Sequence, residues 1–206
     1  MTIAVLADET QKKEFLQHAF PPEVDVIFAD SVRSLVAIDA DAYFDLKFEF
    51  DNERIKNLRQ AGPKLMIVNA VLFTCTDLGF VRINAWPTLL GRTIAEVAAP
   101  ADLREAVTQL FASLNWKIQF VPDIPGMITP RTICMIINEA AYAYGEGVSS
   151  REEINLAMKL GTNYPLGPFE WLEKIGVQRV RDLLQHLNKD ASRYTIAPYL
   201  EKTGAE

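Results

Sequence analysis

Histidine and cysteine are scarce in this chain of 206 residues, which has two of each. Cys75 and Cys134 show no metal-binding spacing, and the pattern favours two buried free thiols over a disulfide or a pair of ligands. His18 and His186 fall in the first and last long helical stretches, where a lone histidine is typically a residue of the helix surface. The scarcity excludes a metal site built from these residues and leaves few candidates for a catalytic base.

Long hydrophobic runs are also missing. No run approaches the roughly 20 residues of a membrane span, and Met1 leads into a short apolar run and then Asp8, unlike a secretory signal. The net charge of −6 argues against nucleic acid or an anionic membrane as a partner. We therefore expect a cytoplasmic protein with no nucleic-acid or membrane partner.

Short apolar runs alternate with helical stretches through the first 122 residues. This alternation predicts an α/β unit with a doubly wound parallel sheet. The strand at 42–50 alternates apolar and polar residues, which predicts that only one of its faces is buried. The predicted strands are 2–6, 24–29, 42–50, 65–71, 93–98 and 117–121, and the predicted helices are 9–20, 32–38, 52–60 and 101–115.

The pattern becomes purely helical after Pro122, so we predict an α/β domain at 1–122 and a helical domain at 123–206. Ser149 and Ser150, followed by Glu152 and Glu153, have the spacing of a capping box. Gly161 is expected to end the helix that follows in a left-handed conformation. The predicted helices are 129–144, 150–160, 168–174 and 177–188.

Two motifs in the helical half are informative, DIPGMITPR at Asp123–Arg131 and AMKLGTNYPLGPFEW at Ala157–Trp171. The region from Asp123 to Gly176 resembles the C-terminal helical domain of the 3-hydroxyacyl-CoA dehydrogenases. The resemblance implies a Rossmann-like N-terminal half, which is shortened and degenerate here. It also implies NAD as cofactor, an acyl-CoA ligand and a homodimer formed through the helical domain, where the apolar helix Ile133–Tyr144 is the expected contact.

The first strand-to-helix turn, Ala7–Gln11, contains no glycine. A dinucleotide site needs glycines there so that backbone N–H groups can approach the pyrophosphate. Asp8 and Glu9 place two carboxylates in this turn instead, where they suit a helix cap and a first-turn acid. Asp30 lies where NAD-dependent relatives carry the ribose-binding acid. We expect no cofactor, because the NAD site has lost its phosphate-binding glycines.

The resemblance also locates the catalytic pair. Matching the family's histidine-containing segment at Ala95–Val97 places Asn84 at the position of the catalytic histidine and Glu96 at that of the glutamate that orients it. Asn84 cannot act as a base, because an amide does not titrate near neutrality. Glu96 is then either a remnant of the pair or a strand residue kept for a salt bridge or a cap.

Substrate-binding positions are partly kept. Pro130 replaces the family's substrate-placing asparagine and suits the first turn of the next helix, whereas Arg131 is retained. Asn69, at the end of the central apolar strand, is a further substrate-binding candidate. Three functions stay open: a 3-hydroxyacyl-CoA dehydrogenase-like protein with a binding or structural role, a working oxidoreductase with an altered site, and an assembly partner of a complete relative.

Overall fold

A computed structural model describes residues 1–189 and 191–203. The chain forms two compact units, Met1–Met127 and Ile128–Glu206. Residues 123–127, which the sequence analysis assigns to the helical half, belong to the first unit. No helix in the described ranges is long and apolar enough to cross a membrane.

The first unit alternates strands and helices. Its order is β1 (Thr2–Leu6), α1 (Glu9–Phe15), β2 (Asp25–Ala29), α2 (Val32–Ala37), β3 (Ala42–Asp45), α3 (Asn52–Leu58), β4 (Leu65–Asn69), α4 (Cys75–Leu78), β5 (Val81–Ile83), β6 (Ile94–Ala98), α5 (Arg104–Ser113) and β7 (Lys117–Phe120).

The seven strands form one sheet in the order β2-β1-β3-β4-β5-β6-β7. Every neighbouring pair is parallel except β5 and β6, which are antiparallel. The order of the first five strands equals the Rossmann order 3-2-1-4-5-6 without its outer third strand. This confirms the predicted Rossmann-like parallel sheet and shows where the sheet is shortened.

Apolar side chains cover both faces of the sheet. On one face, residues of α1 and α5 such as Phe15 and Phe111 pack against the strands. On the other face, Leu35 of α2, Ile55 of α3 and Leu78 of α4 do the same. The sheet is therefore enclosed on both sides, as a parallel sheet generally is.

The prediction of a long, half-buried strand at 42–50 is wrong. The strand β3 ends at Asp45, and all four of its residues are buried, because it lies between β1 and β4 with helices on both faces. The elements α4 and β5 were not predicted. They are four and three residues long, too short to produce a recognisable period.

The described part of the second unit contains helices but no strand, as predicted. Its helices are α6 (Thr129–Gly145), α7 (Arg151–Thr162), α8 (Pro168–Ile175), α9 (Val177–Asn188) and α10 (Pro198–Lys202). Pro130 lies in the first turn of α6, and Ser150 caps α7 in a capping box with Glu153, both as expected. Helix α10 was not predicted, because the chain after Asp190 has a less regular pattern.

Helix α6 is the centre of the second unit and packs against α8, α9 and α10. Its buried Asn138 donates to the Thr195 carbonyl oxygen at 2.8 Å and accepts from the Ala197 N–H at 2.9 Å. This one amide ties the segment before α10 to α6. Much of the apolar surface of α6 is therefore buried against other helices of the same chain, and Cys134 and Ile137 are completely buried.

Helices α7 and α8 meet at a glycine. A β-carbon on Gly167 would lie 2.6 Å from the Cα atom of Asn155, so only glycine fits this contact. Asn155 accepts the Phe169 N–H at 2.9 Å and so caps α8. The expected role of Gly161 is wrong: α7 continues to Thr162, and Asn163 adopts the left-handed conformation, with φ 56°.

A buried ion pair closes the end of β3. Asp45 is fully buried and receives two hydrogen bonds from the Arg54 guanidinium of α3, at 2.8 and 2.7 Å. Burial raises the pKa of Asp45, and the bonds from Arg54 oppose that rise. Arg54 also donates to the Lys47 carbonyl oxygen at 3.0 Å, so it fixes the chain that leaves β3.

Replacing this arginine should destabilise the protein in a pH-dependent way. Arg54→Met leaves the Asp45 carboxylate buried without its partner, and we expect a loss of about 3 kcal/mol at neutral pH. The folded state then holds the Asp45 proton more tightly than the unfolded state does. Stability should therefore fall as pH rises from the ordinary pKa of about 3.9 through the raised folded value.

Urea unfolding followed by circular dichroism between about pH 4 and pH 7 measures this effect. The deficit of Arg54→Met relative to the unmodified protein should be smallest at the acidic end. Lys56→Met, an exposed position on the same helix, is the control and should change stability little. An equal deficit in the two variants would contradict the assigned role of the pair.

Candidate functional site

Open α/β sheets bind ligands at the carboxyl ends of their strands, where the strand order reverses. In this sheet that point is the crevice between β1 and β3, since the chain passes from β1 out to β2 and then back to β3. The crevice is bordered by the turn Ala7–Gln11, by the residues after β3 and by those that follow β4 and β5.

Gln11 occupies this crevice with its own side chain. The residue is only 3% exposed. Its Nε2 donates to the Leu46 carbonyl oxygen at 2.6 Å and to the Ala85 carbonyl oxygen at 3.2 Å. The amide thus bridges the start of α1, the end of β3 and the segment after β5.

The turn at the start of α1 is held by hydrogen bonds between its own residues. Asp8 caps the helix by accepting the Gln11 N–H at 2.8 Å, and Gln11 Oε1 accepts the Asp8 N–H at 3.1 Å. The expected cap at Asp8 is therefore confirmed, together with Glu9 in the first turn. Asp8 and Gln11, the two residues of this capping box, lie where a dinucleotide fold presents free backbone N–H groups to phosphate.

Asn69 completes the network. Its Nδ2 donates to the Leu46 carbonyl oxygen at 3.0 Å, and its Oδ1 accepts the Ala85 N–H at 3.0 Å. Leu46 and Ala85 are therefore each held by both Gln11 and Asn69. The substrate-binding candidate Asn69 thus uses both polar atoms of its side chain in contacts with the backbone.

Asp30 is exposed directly after β2. In the register of the sheet Leu6 pairs with Ala29, so Ala7 and Asp30 follow at the same edge. The backbone N–H of Asp30 donates to Ser34 Oγ at 3.2 Å, and Ser31 caps α2. The acid thus has the location expected of a ribose-binding residue, beside a turn that lacks the phosphate-binding glycines.

The structure brings the two catalytic candidates together. β5 and β6 are antiparallel and pair Ile83 with Val97, and the next backbone contact runs from the Asn84 N–H to the Glu96 carbonyl oxygen, at 3.2 Å. Asn84 is buried and its Oδ1 accepts the Trp86 N–H at 3.4 Å, whereas Glu96 is half-buried. Of the pair, only Glu96 has a side chain with the chemistry of a base, because the Asn84 amide is not one.

The loop that follows Asn84 is fastened to α1. Glu14 accepts the N–H groups of Thr88 at 2.7 Å and Gly91 at 3.3 Å. His18 contacts the Leu90 carbonyl oxygen at 2.9 Å through Nε2 and stacks on Trp116, with ring centroids 3.9 Å apart. Burial lowers the pKa of His18. His18 therefore holds this loop in place, a more buried role than the helix-surface position expected from the sequence.

A second polar cluster lies beside the ends of β4 and β5. Arg82 has no exposed surface and donates to the Ala70 carbonyl oxygen at 2.8 Å and to Asp123 Oδ1 at 2.6 Å. Asp123 also accepts the Cys75 N–H at 2.8 Å. The cluster attaches residues 123–127 to the sheet, which explains why they belong to the first unit.

The electrostatics of this cluster follow from its geometry. Burial would raise the pKa of Asp123, but the bonds from the Cys75 N–H and from Arg82 outweigh it and hold the pKa below its usual value. Burial raises the pKa of the Cys75 thiol to about 12, and the Asp123 charge adds to the rise. Both cysteines are free and buried, as expected, so neither is an activated thiolate.

Arg131 belongs to the helical unit. Its guanidinium donates to the Tyr194 hydroxyl at 3.2 Å and lies over the tyrosine ring, with Cζ 5.8 Å from the centroid. Within the described residues, no three His, Cys, Asp or Glu side chains come close enough to hold a metal ion.

Sequence reasoning missed Gln11, Asp45 and Arg82. A signal existed for Gln11, because a glutamine three residues after an aspartate cap completes a capping box. Arg82 carried no local signal, since its partner Asp123 lies 41 residues away. Asp45 follows three apolar residues, 42–44, and could have been identified as a buried carboxylate in need of a partner.

Comparison with known proteins agrees with the resemblance seen in the motifs. Residues 126–205 match the family model "3-hydroxyacyl-CoA dehydrogenase, C-terminal domain". The chain is 43% identical over 97 residues to 3-hydroxyadipyl-CoA dehydrogenase of Escherichia coli K12, covering 46% of this chain and 20% of that protein. It is 36% identical over 128 residues to 3-hydroxybutyryl-CoA dehydrogenase of Bradyrhizobium diazoefficiens, covering 61% of this chain and 44% of that protein.

The fold also has a close structural counterpart. The crystal structure of (S)-3-hydroxybutyryl-CoA dehydrogenase from Ralstonia eutropha superposes with a TM-score of 0.76 at 19% identity, covering 97% of this chain and 92% of that one. The aligned sequence segments nevertheless span less than half of the two curated relatives. The chain thus resembles the 3-hydroxyacyl-CoA dehydrogenase family, and its helical half matches that family's C-terminal domain.

Proposed function

We propose that this chain is a 3-hydroxyacyl-CoA dehydrogenase-like protein that does not carry out the usual NAD-dependent reaction and has a binding or structural role as a dimer. The observation that carries the proposal is the buried Gln11 amide in the crevice between β1 and β3. A dinucleotide bound there in the usual way would have to displace it. The residues at this crevice therefore do not fit NAD in its usual pyrophosphate mode.

The catalytic pair supports the same proposal. The family's reaction needs a base to take the proton of the 3-hydroxyl group, and Asn84 at that position cannot supply one. Its amide can still hydrogen-bond a carbonyl or hydroxyl group of a ligand. We propose an acyl-CoA thioester as that ligand, by analogy with the relatives, which are dehydrogenases of CoA thioesters by name.

One observation favours the alternative of a working oxidoreductase with an altered site. Glu96 carries a carboxylate and lies directly across the antiparallel pair from Asn84. A carboxylate at this place could accept a proton where the histidine is missing. Turnover of a 3-hydroxyacyl-CoA substrate separates this alternative from the main proposal.

We expect NAD and NADH to bind with a dissociation constant weaker than about 50 µM, the affinity that corresponds to roughly 6 kcal/mol. We also expect turnover of acetoacetyl-CoA with NADH far below about 10 s⁻¹, an ordinary enzyme rate. Fluorescence titration and absorbance assays measure the two. Asn84→His alone should not restore turnover, because Gln11 still fills the crevice.

Gln11→Ala tests whether the buried Gln11 amide is what prevents NAD from binding. Gln17→Ala is the control, since Gln17 lies exposed just beyond the same helix. Gln11→Ala should lower the free energy of unfolding by about 1–3 kcal/mol and improve nucleotide binding, and Gln17→Ala should do neither. Tight NAD binding or ordinary turnover by the unmodified protein would rule out the proposal and favour the oxidoreductase.

The dimer is proposed from the outer face of α7. No residue of this helix is buried, and Leu156 and Leu160, one turn apart on the same face, are 54% and 78% exposed. The other face of α7 contacts α8 through Lys159–Glu170 at 2.6 Å and Arg151–Glu173 at 2.5 Å. An exposed pair of leucines on a helix held by polar contacts favours association with a second copy.

This location differs from the contact expected at Ile133–Tyr144. Ile133 and Ile137 are buried by the chain's own helices, so that part of α6 is core. The homodimer through the helical domain stays a prediction, and α7 becomes its proposed surface.

Charging the α7 face should abolish the dimer without unfolding the chain. We expect the double variant Leu156→Lys with Leu160→Lys to have the mass of one chain, 23.1 kDa, where the unmodified protein has twice that mass. Light scattering after size exclusion measures the masses. Gln185→Lys, an exposed position on α9, is the control and should leave the dimer intact.

Because both leucines are exposed in the single chain, the double variant should remain folded and show a cooperative thermal transition. An unmodified protein that is monomeric at micromolar concentrations would contradict the homodimer. If that monomer formed a mixed pair with a complete 3-hydroxyacyl-CoA dehydrogenase, and the charged variant did not, the same face would serve the alternative role of assembly partner.

A further inference from the structure

A cavity of about 240 Å³ lies at the amino ends of β4 and β5, the opposite end of these strands from Gln11 and Asn84. Its apolar surface comes from Leu65 and Leu103, which are half-buried, and from Pro63, which is exposed, above a base of almost fully buried side chains. Since a water molecule takes up about 30 Å³ of the liquid, the space holds roughly eight waters. It is too small for a dinucleotide or a whole CoA and large enough for a small organic molecule.

Two cationic residues, Arg59 and Lys64, line the same cavity. The Arg59 guanidinium donates to the Leu78 carbonyl oxygen at 3.4 Å. It lies over Gly79, where a β-carbon would be 3.6 Å from Arg59 Nη2. Gly79 has φ 76°, a conformation that favours glycine. The backbone thus leaves room for the guanidinium beside the cavity.

The Lys64 ammonium donates to the Ala40 carbonyl oxygen at 3.0 Å. Neither it nor Arg59 takes part in an ion pair in the part of the chain that the structure describes. An arginine has five N–H donors and a lysine three, so each head keeps donors beyond the bond described. Two positive charges without carboxylate partners beside an apolar wall are a suitable pair for an anionic head group.

We infer that this cavity binds a small organic anion, with one carboxylate or phosphate head between Arg59 and Lys64 and a short apolar tail of about six carbons against Leu65 and Leu103. The inference does not depend on the proposed function, because the cavity and the crevice at Gln11 lie at opposite ends of the sheet. Between the two ends, β4 spans about 13 Å, from Leu65 beside the cavity to Asn69 in the network.

Titration of the ¹⁵N-labelled full chain tests the site by NMR. The probes are hexanoate and hexyl phosphate, with hexanol as the neutral analogue and inorganic phosphate as the head alone. Hexanoate, hexyl phosphate or both should shift the amide signals of Gly62, Gly79 and Phe80 with a dissociation constant of about 1 mM. Hexanol and inorganic phosphate should bind at least about tenfold more weakly, because hexanol lacks the charged head and inorganic phosphate lacks the apolar tail.

Arg59→Met and Lys64→Met should each weaken binding of the anion by about tenfold, as expected for loss of a charge-assisted bond. Lys56→Met removes the same charge from an exposed site outside the cavity and should leave binding unchanged. Both cavity cations are exposed, so we expect all three variants to remain folded.

Shifts of the three reporter amides in the unmodified protein show whether the cavity binds the anion, even if a variant fails to fold. The inference is overturned if neither anion shifts these signals up to about ten times the expected dissociation constant, if hexanol binds as well as the anions, or if Lys56→Met weakens binding as much as Lys64→Met. Binding by hexanoate alone identifies a carboxylate site, and binding by hexyl phosphate alone a phosphate site.

Discussion

The side-chain amide of Gln11 joins three segments that meet at the carboxyl end of the sheet. It bonds the turn at Asp8, the Leu46 carbonyl oxygen after β3 and the Ala85 carbonyl oxygen after β5. A buried amide is costly unless it is hydrogen-bonded, and this one is bonded through both of its polar atoms. The position of Asn84, and of the loop that Glu14 holds against α1, depends on this contact.

Two charged pairs beside the same edge of the sheet are also used within the structure. Asp45 is paired with Arg54 and Arg82 with Asp123, and each pair fixes the chain just after a strand. In an α/β protein such groups are commonly available to a ligand. Here they stabilise loops, whereas the helical unit keeps the motifs of its relatives.

The architecture could be predicted because its determinants are local. Apolar runs mark β1 and β4, and the caps at Asp8, Ser31 and Ser150 lie within three residues of their partners. The length of β3 was misjudged because burial by helices on both faces is a tertiary property. Asn84 and Glu96 could be paired only through the family resemblance, since their contact depends on the antiparallel pairing of β5 and β6. Arg82 and Asp123 could not be paired at all, because only the folded chain brings such distant residues together.

The contact at Gly167 has a consequence for how the helical unit opens. Because α7 approaches α8 at the backbone and has no fully buried residue, its separation would expose less apolar surface than the separation of α8 or α9. Segments with few buried contacts open at the lowest free energy, so we expect the backbone amides of α7 to exchange with solvent before those of α8 and α9. A second chain seated on Leu156 and Leu160 would slow that exchange, and association would therefore be measurable as protection of a single helix.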